Sequence, residues 1–140
     1  MKRILYRHII FSSAENPQLA QDMVRLICHA LQLRIEVLLS GKNTKEVACA
    51  RQVICYLLCR FTDISFAATG KVIHRSRPAV HYNFGEAAKH VKVQDELFMH
   101  CWSKVIPVLL QWRIVTQPAL QHQPVADVLK INNHELFLNA

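Results

Sequence analysis

Nine of the chain's 17 lysines and arginines fall between residues 42 and 92: Lys42, Lys45, Arg51, Arg60, Lys71, Arg75, Arg77, Lys89 and Lys92. Only Glu46, Asp63 and Glu86 oppose them there, so this segment carries almost all of the formal net charge of +7. A positive field gathered in one segment is the electrostatic footprint of a polyanion binder. Within it, Arg75-Ser76-Arg77-Pro78 stands at the head of a stretch with helical periodicity. The first amides of a helix favour a phosphate oxygen. Arginine at such a position offers a planar fork that suits phosphate or the edge of guanine.

Other chemistry finds less support. The histidines (8, 29, 74, 81, 90, 100, 122 and 134) are scattered, with no H-E-x-x-H pattern and no carboxylate at a ligand spacing. Cys28, Cys49, Cys55, Cys59 and Cys101 are odd in number. Cys55 and Cys59 stand at helical spacing, not at the spacing of a zinc knuckle, so the thiols are read as packing groups and no metal is expected. No serine or cysteine has an identifiable base and orienter, so an enzyme is not expected. A nucleotide site needs G-x-x-x-x-G-K-[ST]. The nearest text, Gly41-Lys42-Asn43-Thr44, fails at Glu36 and at Asn43. No cofactor is expected. Trp102 and Trp112 sit on an apolar helical stripe, where packing explains them better than base stacking.

The elements that must hold the basic residues read as helices throughout. Glycine is scarce at three residues, and 51% of the chain is apolar, so an all-α domain is expected. Asn16-Pro17 is a start signal, followed by Leu19, Met23, Leu26, Ile27, Ala30 and Leu31 at helical spacing. A short apolar turn over 35–39 ends at Ser40-Gly41. Thr44 caps a long helix to Phe61, with Val47, Ala50, Ile54, Leu58 and Phe61 on one stripe. Asp63 and Ser65 offer caps for a short helix over 66–72. After a turn at 73–75, Ser76 caps a helix to about residue 91, with Val80, Phe84, Ala87 and Val91 facing the core. A further helix over 95–105 should break or kink at Pro107. Beyond Gln117 a loop is expected, with a short apolar segment over 125–129 and an extended end over 135–138.

At 140 residues the chain is one domain with extensions. The apolar runs are too short to span a bilayer, and the opening residues make a poor signal peptide. No membrane association is expected, and the cytoplasm is the expected location.

Two helices joined by a tight turn in a basic helical domain have the form of a helix-turn-helix, whose second helix enters the major groove. Here the residues also resemble a known family. Ala50-Arg51-Gln52-Val53-Ile54-Cys55-Tyr56-Leu57-Leu58, Phe61-Thr62-Asp63-Ile64-Ser65, Gly70-Lys71 and the run from Arg75 to Val80 are similar to the C-terminal DNA-binding domain of DnaA, the bacterial replication initiator. The resemblance covers 27–105. It implies a compact helical domain similar to Trp repressor, preceded by an extension over 1–26 and followed by one over 106–140. It implies double-stranded DNA as partner.

Residue by residue, the resemblance places Arg51 on a backbone phosphate and Thr62 and Ser65 at the helix-turn-helix entrance. It makes Gly70 the small residue that permits close packing, Arg75 the opening of the recognition signature and Val80 its core anchor. His81 matches a histidine after that signature, and either phosphate contact or packing suits it. The departures matter as much. Ser76-Arg77-Pro78-Ala79 replaces the Asp-His-[Ser/Ala/Thr]-Thr that reads bases, so any base preference should differ. The family's minor-groove arginine falls on Asn43, with Lys42 and Lys45 nearby for phosphate. Thr69 stands where the family has a buried isoleucine. The expected DNA-facing set is Lys42, Lys45, Arg51, Thr62, Ser65, Lys71, Arg75, Ser76, Arg77 and His81, with Tyr82 beside them. The expected function is sequence-dependent or non-specific duplex binding in replication or transcription control of a chromosome, phage or mobile element. The alternative is a protein-interaction module that has lost base reading. A protein partner or a homodimer is left open by the sequence.

Overall fold

In a computed structural model, residues 11–14 and 16–116 are described, Ile114 and Thr116 by their backbone alone. The readings beyond Gln117 lie outside the described residues. Six helices follow in order: α1 Leu19–Ala30, α2 Ile35–Leu39, α3 Lys45–Phe61, α4 Phe66–Ile73, α5 Arg77–Val93 and α6 Glu96–Thr116. Among the described residues the one extended pairing is an isolated bridge between Phe11 and Thr62. The described residues form an all-α domain, as composition and periodicity imply.

The helix starts follow local chemistry. The first amides of a helix have no internal acceptor. Thr44 accepts from Val47 N–H at 3.4 Å, Ser65 from Ala68 N–H at 3.1 Å and Ser76 from Ala79 N–H at 3.2 Å. Asp63, the other expected cap, is used elsewhere. Its carboxylate accepts from Ser13 N–H at 2.9 Å and Ser12 Oγ at 3.3 Å, tying down the segment ahead of α1. Asn16 Oδ1 accepts from Gln18 N–H at 2.9 Å, the turn that leads into α1.

α3 is the central element. Val47, Cys49, Ala50 and every residue from Val53 to Leu58 are buried. A helix buried nearly all round needs neighbours on all sides, and α3 touches each of the other five helices. Around it, Trp102 of α6 packs with its ring 5.9 Å from Tyr56, 6.1 Å from Phe61 and 5.9 Å from Phe98. Trp102 is therefore a core residue. Trp112 is half-buried, its ring 5.7 Å from that of Phe11. The five cysteines are free thiols, four buried and Cys59 half-buried. The continuous core draws Leu19, Met23 and Val24 from ahead of residue 27 and Ile106 and Leu109 from beyond 105.

Pro107 does not end a helix. α6 runs through it to Thr116, so of the expected break or kink the break does not occur. An interior proline costs a helix about 3 kcal/mol. Val105, Ile106 and Leu109, buried on either side of an exposed Pro107, offset that. Each such side chain contributes about 1.5–3 kcal/mol on burial. Packing against α1 and α3 therefore overrides the local preference.

Candidate nucleic-acid interface

α4 and α5 are joined by three residues. α4 stops at His74, which adopts the left-handed conformation (φ 57°, ψ 46°). The Arg75 N–H then turns back onto Gly70 O at 2.9 Å. This closure brings main chain onto main chain. A Cβ at Gly70 would lie 2.4 Å from Arg75 O and 3.4 Å from Val80 Cγ2. Only glycine leaves that space. Ser76 next caps α5, Pro78 occupies its first turn, and Val80 is buried beneath. The result is a helix, a tight turn and a second helix held by its first core residue.

The outward side of α5 carries Arg77, Pro78, His81 and Tyr82, all exposed, with Lys89 and Lys92 farther along. Tyr82 is 66% exposed, unusual for a large aromatic in an unpartnered surface. His81 stacks on Phe66 of α4, ring centroids 3.9 Å apart. Its imidazole thus braces the two helices while remaining exposed. Lys71 on α4 is exposed, and so are Lys42 and Lys45 in and after the loop between α2 and α3.

Arg51 and Arg75 are placed differently. Arg51 is only 4% exposed. Its Nε and Nη2 donate to Leu38 O at 3.1 and 2.9 Å, its Nη2 to Ser40 O at 2.8 Å and its Nη1 to Asn43 Oδ1 at 3.4 Å. Arg75 converges on the same place. Its Nη2 donates to Ser40 O at 2.6 Å, and its Nη1 to His74 O at 3.0 Å and Leu39 O at 3.5 Å. The last carbonyls of α2, which no later turn can satisfy, thus receive two arginines. Burial first, and then the neighbouring charge of Arg75, hold the Arg51 pKa below its ordinary value. The Arg51 donors are committed inside the protein, while Arg75 stays half-exposed. Together the two arginines join the start of α5 to the loop that carries Lys42.

Thr62 is also turned inward. It is buried, its hydroxyl donating to Leu58 O and accepting from Ile64 N–H at 3.0 Å. The hydroxyls of Ser65 and Ser76 are engaged as caps, although both residues are exposed. Thr69, fully buried, places its Oγ1 3.6 Å from Cys59 Sγ. A hydroxyl is accommodated there because a thiol faces it. The structure therefore brings Lys42, Arg75, Ser76 and Arg77 to one end of α5. Arg51 lies beneath them, while Thr62 stays inside.

Sequence reasoning missed the acceptor that organises this end, Ser40 O. A main-chain oxygen leaves no mark in a side-chain pattern. It also missed Phe66 as the support of His81, although their separation was open to inspection once both helices were drawn. Among the described residues no three His, Cys, Asp or Glu side chains are grouped to hold a metal ion. No helix among them is long and apolar enough to cross a membrane.

Comparison with known families adds one finding. Residues 20–85 match the family model described as the bacterial dnaA protein helix-turn-helix. The match takes in α1 to α4 and the first half of α5, including the turn. No solved structure matches the chain.

Proposed function

We propose, from the match of residues 20–85 to the bacterial dnaA protein helix-turn-helix, that this chain binds double-stranded DNA with α5 in the major groove. The observation that carries the reading is Arg77, exposed at the first position of a capped recognition helix. Bidentate donation from arginine to guanine O6 and N7 is the commonest specific contact of such a helix. No acidic residue lies in the first turn of α5, so no carboxylate there accepts a hydrogen bond from cytosine N4. The preferred site is one with guanine opposite Arg77, not the DnaA box. Lys42, Lys45 and Lys71 hold phosphates on either side, while Arg51 and Arg75 keep the lysine loop and α5 in register. The role is control of replication or transcription at such sites.

A protein-docking reading fits less well. Among the described residues the exposed large apolar side chains are Tyr82, Val93 and Val115. They form no broad apolar patch of the kind a stable protein interface uses.

The test is fluorescence anisotropy on labelled duplexes: the DnaA box, a scrambled duplex and a random pool, each over a salt series. Three lysines on phosphates predict a log–log salt slope of about −3. Arg77→Ala should weaken binding to the preferred pool sequence about 10- to 100-fold and relax the preference for guanine at that position, whereas Lys71→Ala should weaken all duplexes alike and make the slope shallower by about one. Salt-independent or absent binding of the wild-type protein would overturn the proposal.

A further inference from the structure

Gly85 is a glycine without an internal reason. It lies in the middle of α5, a 17-residue helix, and its φ is not positive. No backbone demand therefore excludes a side chain. No packing demand does either, because a Cβ built there meets nothing within 4 Å. Gly70 is the contrast within the same motif, since its space is already filled by Arg75 O. A mid-helix glycine is less favourable than alanine, and the open space at Gly85 leaves room for a partner from outside the chain to reach the main chain.

Its neighbours say what kind. On a helix, positions three and four apart share a face. His81 and Tyr82 flank Gly85 one turn before and Lys89 one turn after, all three exposed. The core side chains Val80, Phe84 and Ala87 occupy the other side. Glu86 is turned to Lys89 at 3.1 Å. The open face is thus rimmed by an aromatic ring, an imidazole and a lysine, a set that suits a phosphodiester chain.

We propose that Gly85 is the point where the sugar-phosphate backbone of a bound duplex closes directly onto the main chain of α5, with Tyr82 and Lys89 on either side. The bare backbone sets how deeply α5 seats in the groove. Gly85 is therefore a positioning residue for DNA binding, and this rests on the DNA-binding reading above.

The experiment compares wild type, Gly85→Ala and Gly85→Leu by thermal unfolding and by anisotropy on the wild-type protein's preferred duplex. Both substitutions supply a helix-favouring side chain in open space. Gly85→Ala should raise Tm by about 3–6 °C, and Gly85→Leu should not lower it. Binding should weaken about tenfold with alanine and further with leucine, since an intruding methyl must push the contact apart. The salt slope should stay that of wild type, because no charge is removed. A Gly85→Leu protein that binds as wild type does overturns this inference alone. A wild-type protein that binds no duplex overturns the DNA-binding reading and this inference with it. Loss of binding with a shallower slope, as for Lys71→Ala, would assign the loss to a missing phosphate contact and not to seating, and also overturns it.

Discussion

Gly70→Ala tests the geometry of the motif most directly, because two effects oppose each other and their sizes decide the sign. Gly70 lies within α4 and needs no special backbone conformation. On helix propensity alone, alanine should stabilise by about 1 kcal/mol. Against this, the new Cβ would stand 2.4 Å from Arg75 O, where carbon and oxygen normally approach to about 3.3 Å. The Arg75 carbonyl must then retreat by about 1 Å. It is not free to do so. Its own residue's N–H is bonded to Gly70 O, and its guanidinium is anchored on Ser40 O. Overpacking against main chain belongs at the upper end of the usual 1–3 kcal/mol, so the net loss is about 2 kcal/mol. Thermal unfolding followed by circular dichroism should show Tm falling by about 10 °C. Gly85→Ala, the same chemical change one helix later, should move Tm the other way. An alanine at Gly70 that leaves Tm unchanged or higher would refute the close approach of the two helices.

Three further outcomes are expected. Arg51→Met keeps the aliphatic stem but abandons Leu38 O and shares of Ser40 O and Asn43 Oδ1, so denaturant unfolding should report a loss of about 2–4 kcal/mol, mostly from unsatisfied buried carbonyls. Ser76→Ala removes the cap of α5 and should destabilise by about 1 kcal/mol, read in the same experiment, whereas Ser76→Asp should restore stability while weakening DNA binding by charge. Burial pushes the thiols of Cys28 and Cys59 up to about 11. Unfolded thiols ionise near 9 while these hold their protons, so their contribution to stability is intact below pH 9 and is lost as pH rises through 11. Equilibrium unfolding between pH 8 and 11 should show that decline, and a smaller one in Cys28→Ala/Cys59→Ala.

Much of the motif was readable along the chain because its determinants are local. The caps at Thr44, Ser65 and Ser76 act across three residues, so each leaves a short signature. The core stripe of α5 follows from its period. Gly70 was singled out by family resemblance, and its reason is now visible in the 2.4 Å approach of Arg75 O. Net charge likewise needs only counting, and it identified the segment that carries the exposed cations.

Tertiary structure decided what those residues do. Arg51 and Arg75 look alike in the sequence as cations of a basic segment, yet both donate to the carbonyls that end α2, Arg51 buried and Arg75 half-exposed. Arg77, two residues farther on, stays exposed. No local pattern separates them, because the acceptor at Ser40 is main chain and lies 35 residues from Arg75. The same holds for Pro107, whose local effect was read correctly and then outweighed by the burial of Val105, Ile106 and Leu109. Asp63 could have capped a helix, but a strap at Ser12 and Ser13 claimed its carboxylate. The sequence by itself determined the helices, their starts and the sign of the surface. Which cations face outward was settled only when distant carbonyls and apolar faces competed for them, since hydrogen bonding and burial act across space and not along the chain.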